Sequence, residues 1–264
     1  MNWLPGRVRN WIRHIPIIAG GQRWLVKRFL SNEPFAHTIN AGPARGLRFE
    51  VILPQDKAVW AGTYEMDFAL AISQGVEKGS VCFDVGGYRG YMSGVMAMNG
   101  AAQVFVFEPF PANLKALERL VSLNPACSIQ VKPFAVGKIE GSATFRVMPD
   151  QSMGKLSTSE FQSGASALQE LQVPIHTLDS LVETKGIPPP NLIKIDVEGA
   201  EIDVLLGAIQ VLHRYRPRLF IEAHSETLAA RCRAHLQEIG YFVRQLEPGQ
   251  LSPEVTSHLI AEPQ

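Results

Sequence analysis

The stretch from Val81 to Glu108 restricts the fold more than any other part of the chain. Residues 81–85 (VCFDV) form a short apolar run, the size of a buried strand. Gly86, Gly87 and Gly90 follow at once, and glycine permits positive φ and close approach to the backbone. Residues 91–98 carry apolar side chains at helical spacing, and residues 103–107 (QVFVF) form a second apolar strand ending at Glu108. Strand, glycine turn, helix and second strand make the front half of a nucleotide-binding βαβ unit. In such units an acid at the tip of the second strand, about 20 residues past the glycines, accepts hydrogen bonds from ribose hydroxyls.

The turn also discriminates between nucleotides. A dinucleotide site uses G-x-G-x-x-G so that a pyrophosphate rests on a helix N-terminus. Here the string is Asp84-Val-Gly86-Gly87-Tyr88-Arg89-Gly90, with a different spacing and a carboxylate just ahead of the glycines. That carboxylate repels a pyrophosphate and attracts an ammonium or a sulfonium. S-adenosylmethionine carries such charge, has a ribose for Glu108 and has no phosphate, so the pattern favours it. The plain alternative is an ordinary βαβ turn with an exposed Glu.

The rest of the chain continues the alternation. A helix over residues 111–122, a strand over 129–136 and another over 142–147 follow Glu108. Residues 149–166 are the most polar region, rich in Ser, Gly and Gln, and a long polar loop of this kind is usually functional. Residues 192–195 form a buried strand ending at Asp196, residues 201–213 a helix, and residues 218–221 a strand leading to Glu222 and His224. A helix over 228–239 and strands over 241–246 and 257–261 close the sequence. Ahead of the glycine turn, residues 36–40 and 47–53 read as a hairpin and residues 60–73 as a helix. Strand–helix alternation throughout predicts a single α/β domain with a doubly wound, Rossmann-like sheet. Ligands of such sheets bind beyond the carboxyl ends of the strands, where Asp84, Glu108, Asp196 and Glu222 fall.

Composition narrows the partners. Net charge over the 264 residues is zero, so no general attraction to nucleic acid follows. Three cysteines without a CxxC pair argue against a disulfide framework or zinc site and suit a reducing cytoplasm. Residues 1–30 are different: six Arg or Lys side chains interleave with Trp3, Trp11 and Trp24, and no acid precedes Glu33. The apolar run within them is too short to span a bilayer. A basic, Trp-bearing arm can lie on an anionic membrane surface or pack on the domain, and peripheral membrane contact is one expectation.

Four strings carry a family resemblance: Asp84–Gly90, Phe107-Glu-Pro-Phe-Pro111, Thr177-Leu-Asp-Ser-Leu181 and Lys194-Ile-Asp-Val-Glu-Gly-Ala-Glu201. Together they resemble the FkbM family of S-adenosylmethionine-dependent methyltransferases over about residues 60–225. The family usually has Ala-Asn where this chain has Gly87-Tyr88. The resemblance implies a class I methyltransferase sheet, mostly parallel with its last strand antiparallel, and O-methylation of sugars or small metabolites. The organisation expected is a basic arm over residues 1–34 and a methyltransferase domain over 35–264, with a hairpin at 35–56 and a polar loop at 149–172 over the site. Cofactor contacts are expected at Asp84, Gly86, Gly87, Tyr88, Gly90, Glu108, Pro109, Ala135, Val136 and Glu65.

Methyl transfer is an in-line displacement, so much of the acceleration comes from holding acceptor oxygen and methyl carbon together. A sugar hydroxyl must also lose its proton to a base or be polarised by a metal. Asp196 is the first candidate base, with Glu198 on the following turn and His224 as the alternative, since histidine titrates near neutrality. Asp196, Glu222 and His224, with Glu198 beside them, can gather a hard divalent cation. Glu201 reads as a helix N-terminal acid. Lys155 and Ser152 in the polar loop are further acceptor-contact candidates, and His176 reads as solvent-facing. Three functional readings therefore stand: an O-methyltransferase acting on a small-molecule or glycan hydroxyl, a nicotinamide-dependent oxidoreductase, and a non-catalytic binding module on the same sheet. The missing G-x-G-x-x-G counts against the second, and Tyr88 and Arg89 keep the third open.

Overall fold

The computed structural model describes residues 33–147, 155–156, 169–246 and 256–264. The basic arm expected over residues 1–34 falls almost wholly outside them, as does Ser152 and most of the polar loop. The chain opens with a hairpin, β1 (Phe35–Thr38) and β2 (Arg48–Val51), followed by helices α1 (Lys57–Ala61) and α2 (Met66–Gly75). Then come β3 (Val81–Val85), α3 (Tyr91–Met98), β4 (Gln103–Phe107), α4 (Pro111–Leu123) and β5 (Ile129–Lys132). β6 (Ala135–Val136), β7 (Gly141–Val147), β8 (Lys155–Leu156) and β9 (Gln169–His176) follow, then α5 (Leu178–Glu183). The last part runs β10 (Leu192–Ile195), α6 (Glu201–Leu206), α7 (Ile209–Tyr215), β11 (Arg218–Ala223), α8 (Glu226–Glu238), β12 (Tyr241–Gln245) and β13 (Ser257–Pro263).

Seven strands make the central sheet in the order β12-β13-β11-β10-β3-β4-β5. From β11 to β5 the neighbours are parallel, and β13 runs antiparallel to β11. The chain winds outward from β3 to β5, then returns to β10 on the other side of β3. The switch point therefore lies between β3 and β10, and a ligand crevice opens past their carboxyl ends. Period-2 alternation in the strands sorts the core into two layers. Phe83, Val85, Ile193, Ile195 and Ile221 pack under α5 to α8, while Cys82, Val104, Leu192 and Phe220 pack under α2, α3 and α4.

The single sheet read from the sequence is corrected by a second sheet of four strands, ordered β6-β9-β7-β8. The expected strand over residues 129–136 divides between the two sheets. Pro133, which has no N–H to give a ladder, stands at the break, and the Phe134 N–H turns back to Lys132 O at 2.9 Å. The helix expected over residues 201–213 is likewise two. Gly207 lies against backbone there, so that a Cβ would stand 2.0 Å from Gly137 O. Asp179 caps the new start, accepting from the N–H groups of Gln210 and Val211 at 3.0 and 2.9 Å. The helix expected over 60–73 ends early at Gly62, in the left-handed conformation, and restarts at Met66. Among the described residues no helix is long and apolar enough to cross a membrane.

Candidate active site

The floor of the crevice is built on a buried ion chain. Lys194 pairs in register with Asp84 across β10 and β3, so both side chains fall on the same face of the sheet. Lys194 is 3% exposed, and its Nζ stands 3.1 Å from Asp84 Oδ1 and 3.2 Å from Asp196 Oδ2. It also donates to Gly86 O at 2.7 Å. Burial acts to lower the ammonium's pKa, but Asp196 and Asp84 outweigh it and hold the value above the usual lysine range. Ser93 of α3 donates to Asp84 Oδ2. One ammonium thus ties the glycine turn to the strand end that carries Asp196. Gly86 adopts φ 80°, and a Cβ there would stand 1.7 Å from Asp196 O.

Glu108 forms one wall. The Tyr88 N–H donates to its Oε2 at 2.9 Å and the Phe110 N–H to its Oε1 at 2.8 Å. The carboxylate is buried, and that burial pushes its pKa up to about 7 against the pull of these two N–H groups. Tyr88, at φ 47°, has a left-handed backbone unusual for a bulky residue. Arg89 does not bring its charge to the ligand side of the turn. Its guanidinium reaches both oxygens of Asp56 at 2.9 Å, donates to Glu50 O and lies over the Phe49 ring.

Opposite Glu108, the end of β10 carries the acids. Asp196, Glu198 and His224 bring one oxygen or nitrogen each within 4.8 Å of one another. His224 Nε2 is 3.6 Å from Asp196 Oδ1 and 3.4 Å from Glu198 Oε2. Its Nδ1 is 2.8 Å from Oε1 of Glu201, which is wholly buried and also accepts the Gly199 N–H at 2.9 Å. Burial disfavours the charged imidazole, yet the Glu201 hydrogen bond and the charges of Asp196 and Glu198 raise its pKa to about 9. Burial and the neighbouring acids push Glu198 up to about 7, with His224 pulling the other way. Glu198 holds φ 52°. Glu222 stands outside the converging three, with Oε1 4.0 Å from His224 Nε2 and Oε2 3.6 Å from His258 Nε2.

Between these walls lies a cleft lined among others by Gly86, Tyr88, Glu108, Pro109, Asp196 and Glu198. Ala135 and Val136 of β6 and Phe145 of β7 close it from the second sheet. Several expected contacts stand elsewhere. Asp84 is sealed beneath the floor by Lys194 and Ser93 and is not among the lining residues. Gly87 and Gly90 serve packing, since a Cβ would meet Val106 at 2.1 Å or Leu120 at 2.4 Å. Glu65, at φ 42°, sits beside Tyr64 and is not among the lining residues; burial and then Glu222 push its pKa up. His176 is not simply solvent-facing: its Nδ1 is 2.7 Å from Glu140 Oε2, and its ring stands edge-on to Phe134. The sequence reading missed Lys194, Asn113, Phe145, Val197 and the contact of Glu201 with His224. A lysine within an otherwise apolar strand was the available signal for the first, because a buried charge needs partners.

The family described as methyltransferase FkbM domain matches residues 84–243. Hexuronic acid methyltransferase AglP of Haloferax volcanii is 29% identical over 150 residues, 56% of this chain and 58% of that protein. Methyltransferase 1 of Beauveria bassiana is 29% identical over 119 residues, 39% of this chain and 48% of that protein. The chain thus spans about half the length of the curated relatives it matches. Among solved structures, methyltransferase FkbM from Methylobacillus flagellatus KT is alike in fold, with a TM-score of 0.50 at 18% identity over 69% of this chain and 43% of that one.

Proposed function

Because the chain belongs to the FkbM methyltransferase family, we propose that it transfers a methyl group from S-adenosylmethionine to a hydroxyl of a sugar, an acidic sugar in a glycan being the first candidate. The observation that carries this reading is the cleft itself, with the buried Glu108 on one wall and Asp196 and Glu198 on the other. Among the described residues its lining includes three carboxylates and no Lys or Arg, which suits a ribose and a cationic ligand better than a pyrophosphate. The name of the Haloferax volcanii relative supports the acidic sugar.

The residues divide the work as follows. Glu108 takes the ribose hydroxyls, and the glycine turn lets the ligand lie close to the backbone. The bound cofactor supplies a methyl carbon on a sulfonium, a leaving group that needs no proton. The acceptor hydroxyl does need to be held in line and relieved of its proton. Asp196 stands at the cleft for that task, oriented through Oδ2 by Lys194. His224, held protonated by its acidic neighbours at neutral pH, orients the carboxylates and is less suited to be the base.

Asp196→Asn keeps the shape and removes the proton acceptor. Turnover is expected to fall by about 10²–10⁴, with S-adenosylhomocysteine affinity nearly unchanged by calorimetry. Near-normal turnover in this variant, on any acidic glycan that wild type methylates, removes Asp196 from the chemistry.

A further inference from the structure

Acids, one lysine and two histidines meet beside the cleft. Asp84, Asp196, Glu198, Glu201 and Glu222 are in ion-pair contact with Lys194, His224 and His258. Within this group of described residues, five carboxylates thus face one permanent cation and two imidazoles. Asp196 divides its oxygens, giving Oδ2 to Lys194 and turning Oδ1 toward His224. The 3.4 and 3.6 Å separations from His224 Nε2 to Glu198 Oε2 and Asp196 Oδ1 are close to the edge of a coordination polyhedron. Neighbouring ligand atoms around a divalent cation, at bonds of about 2.1–2.5 Å, stand about 3.0–3.5 Å apart.

A separate observation lies behind the histidine. Glu201 is wholly buried and faces this group through Oε1, while its Oε2 has no hydrogen-bond partner among the described residues. A carboxylate on the far nitrogen of an imidazole fixes the tautomer that aims the other nitrogen's lone pair outward, as in carboxylate–histidine–metal arrangements. Burying an acid this deeply is costly unless the group it orients carries or holds positive charge.

We infer that Asp196, Glu198 and His224 bind one divalent metal ion at the edge of the cleft, with Glu201 as the positioning carboxylate behind His224. One nitrogen and two carboxylate oxygens suit a cation of the Mn²⁺ or Mg²⁺ class, which fills its remaining positions with water or substrate oxygens. The cation takes the place of the proton on His224 Nε2. It also adds one positive charge at the rim, which lessens the repulsion of an anionic sugar by Asp196 and Glu198 and offers its carboxylate a cation to meet. The inference deepens the methyl-transfer reading and rests on it for the identity of the acceptor.

The test uses the full chain freed of metal by chelator, with Mn²⁺ as the probe and neither cofactor nor acceptor present. Calorimetry and the loss of the free Mn²⁺ resonance signal are expected to give one saturable site per chain. Glu198→Gln, which keeps the size and shape of this half-buried side chain, is expected to weaken Mn²⁺ by tenfold or more while S-adenosylhomocysteine still binds. Asp196→Asn is expected to do the same. Wild type that shows no saturable Mn²⁺ binding overturns the inference, as does a Glu198→Gln variant that binds Mn²⁺ as well as wild type. The two readings fail separately. Cofactor product binding without Mn²⁺ binding removes only the metal, and Mn²⁺ binding without cofactor product binding removes methyl transfer and leaves the metal site.

Discussion

At the scale of single residues, burial decides what each charge can do. Lys194 and Glu108 were both visible in the sequence as charges at or within apolar strands, but only Glu108 stood at a strand end and drew a functional reading. What the sequence could not give was the register that sets Lys194 opposite Asp84, because pairing between strands over a hundred residues apart is settled by packing. Tyr88 and Arg89 looked like one disturbance of the turn and are two separate matters: Tyr88 gives its N–H to Glu108, and Arg89 leaves for Asp56. The raised pKa of Glu108 has a measurable sign. Its proton is held up to about pH 7 in the free protein, whereas ribose hydroxyls donate best to the ionised form. Binding therefore expels a proton below pH 7, and affinity rises with pH until the group is ionised anyway. S-adenosylhomocysteine is expected to bind about tenfold more weakly at pH 6 than at pH 8, from the loss of one proton per binding event. Glu108→Gln is expected to bind weakly and without that slope, and a flat wild-type profile measured by calorimetry rules the assignment out.

At the scale of elements, the strands of the central sheet were legible because each is a short apolar run between turn residues. The breaks were not. Residues 129–136 and 201–213 each carry one continuous hydrophobic pattern, and what divides them is a contact with something distant or a missing donor. Gly207 is the clearer case. Its φ of ordinary sign asks nothing of glycine, but its neighbour is the backbone of Gly137, just after β6. Since β6 contributes Ala135 and Val136 to the cleft, pressure at this contact is expected to reach the cleft wall. Gly207→Ala is expected to cost about 1–3 kcal/mol of stability, the usual range for forced overpacking. Thermal unfolding is expected to show the loss, and S-adenosylhomocysteine titration a weakened affinity, although no residue touching the acceptor has changed. A variant with wild-type melting temperature and affinity shows that the two backbones move apart freely.

At the scale of the whole molecule, the cleft is a seam. The seven-stranded sheet supplies the turn and the acids, and the four-stranded sheet closes the other side through a small cluster of Phe110, Ala135, Phe145, Val173, Ile175 and Ala200. That second sheet was hidden in the sequence because its strands mix polar and apolar residues and flank the polar region. Phe145, stacked on Phe110 at 5.9 Å between ring centres, holds the seam. In Phe145→Ala, hydrogen exchange is expected to accelerate first in β7 and β9, while β3, β4 and β10 keep their protection, as for a unit that opens on its own. Uniform acceleration across both sheets sinks that picture. Backbone strain is spread unevenly over the same map. Of the four non-glycine residues with positive φ among the described residues, Tyr88 and Glu198 line the seam. Each such residue costs of the order of 1–3 kcal/mol and persists only where the surroundings insist on it. Anyone selecting a hardier version of this protein, by directed evolution or by consensus, will therefore find the cheapest gains at Tyr88 and Glu198. The clones that survive heat best will tend to be those that have stopped working, so a screen has to score turnover alongside heat resistance from its first round.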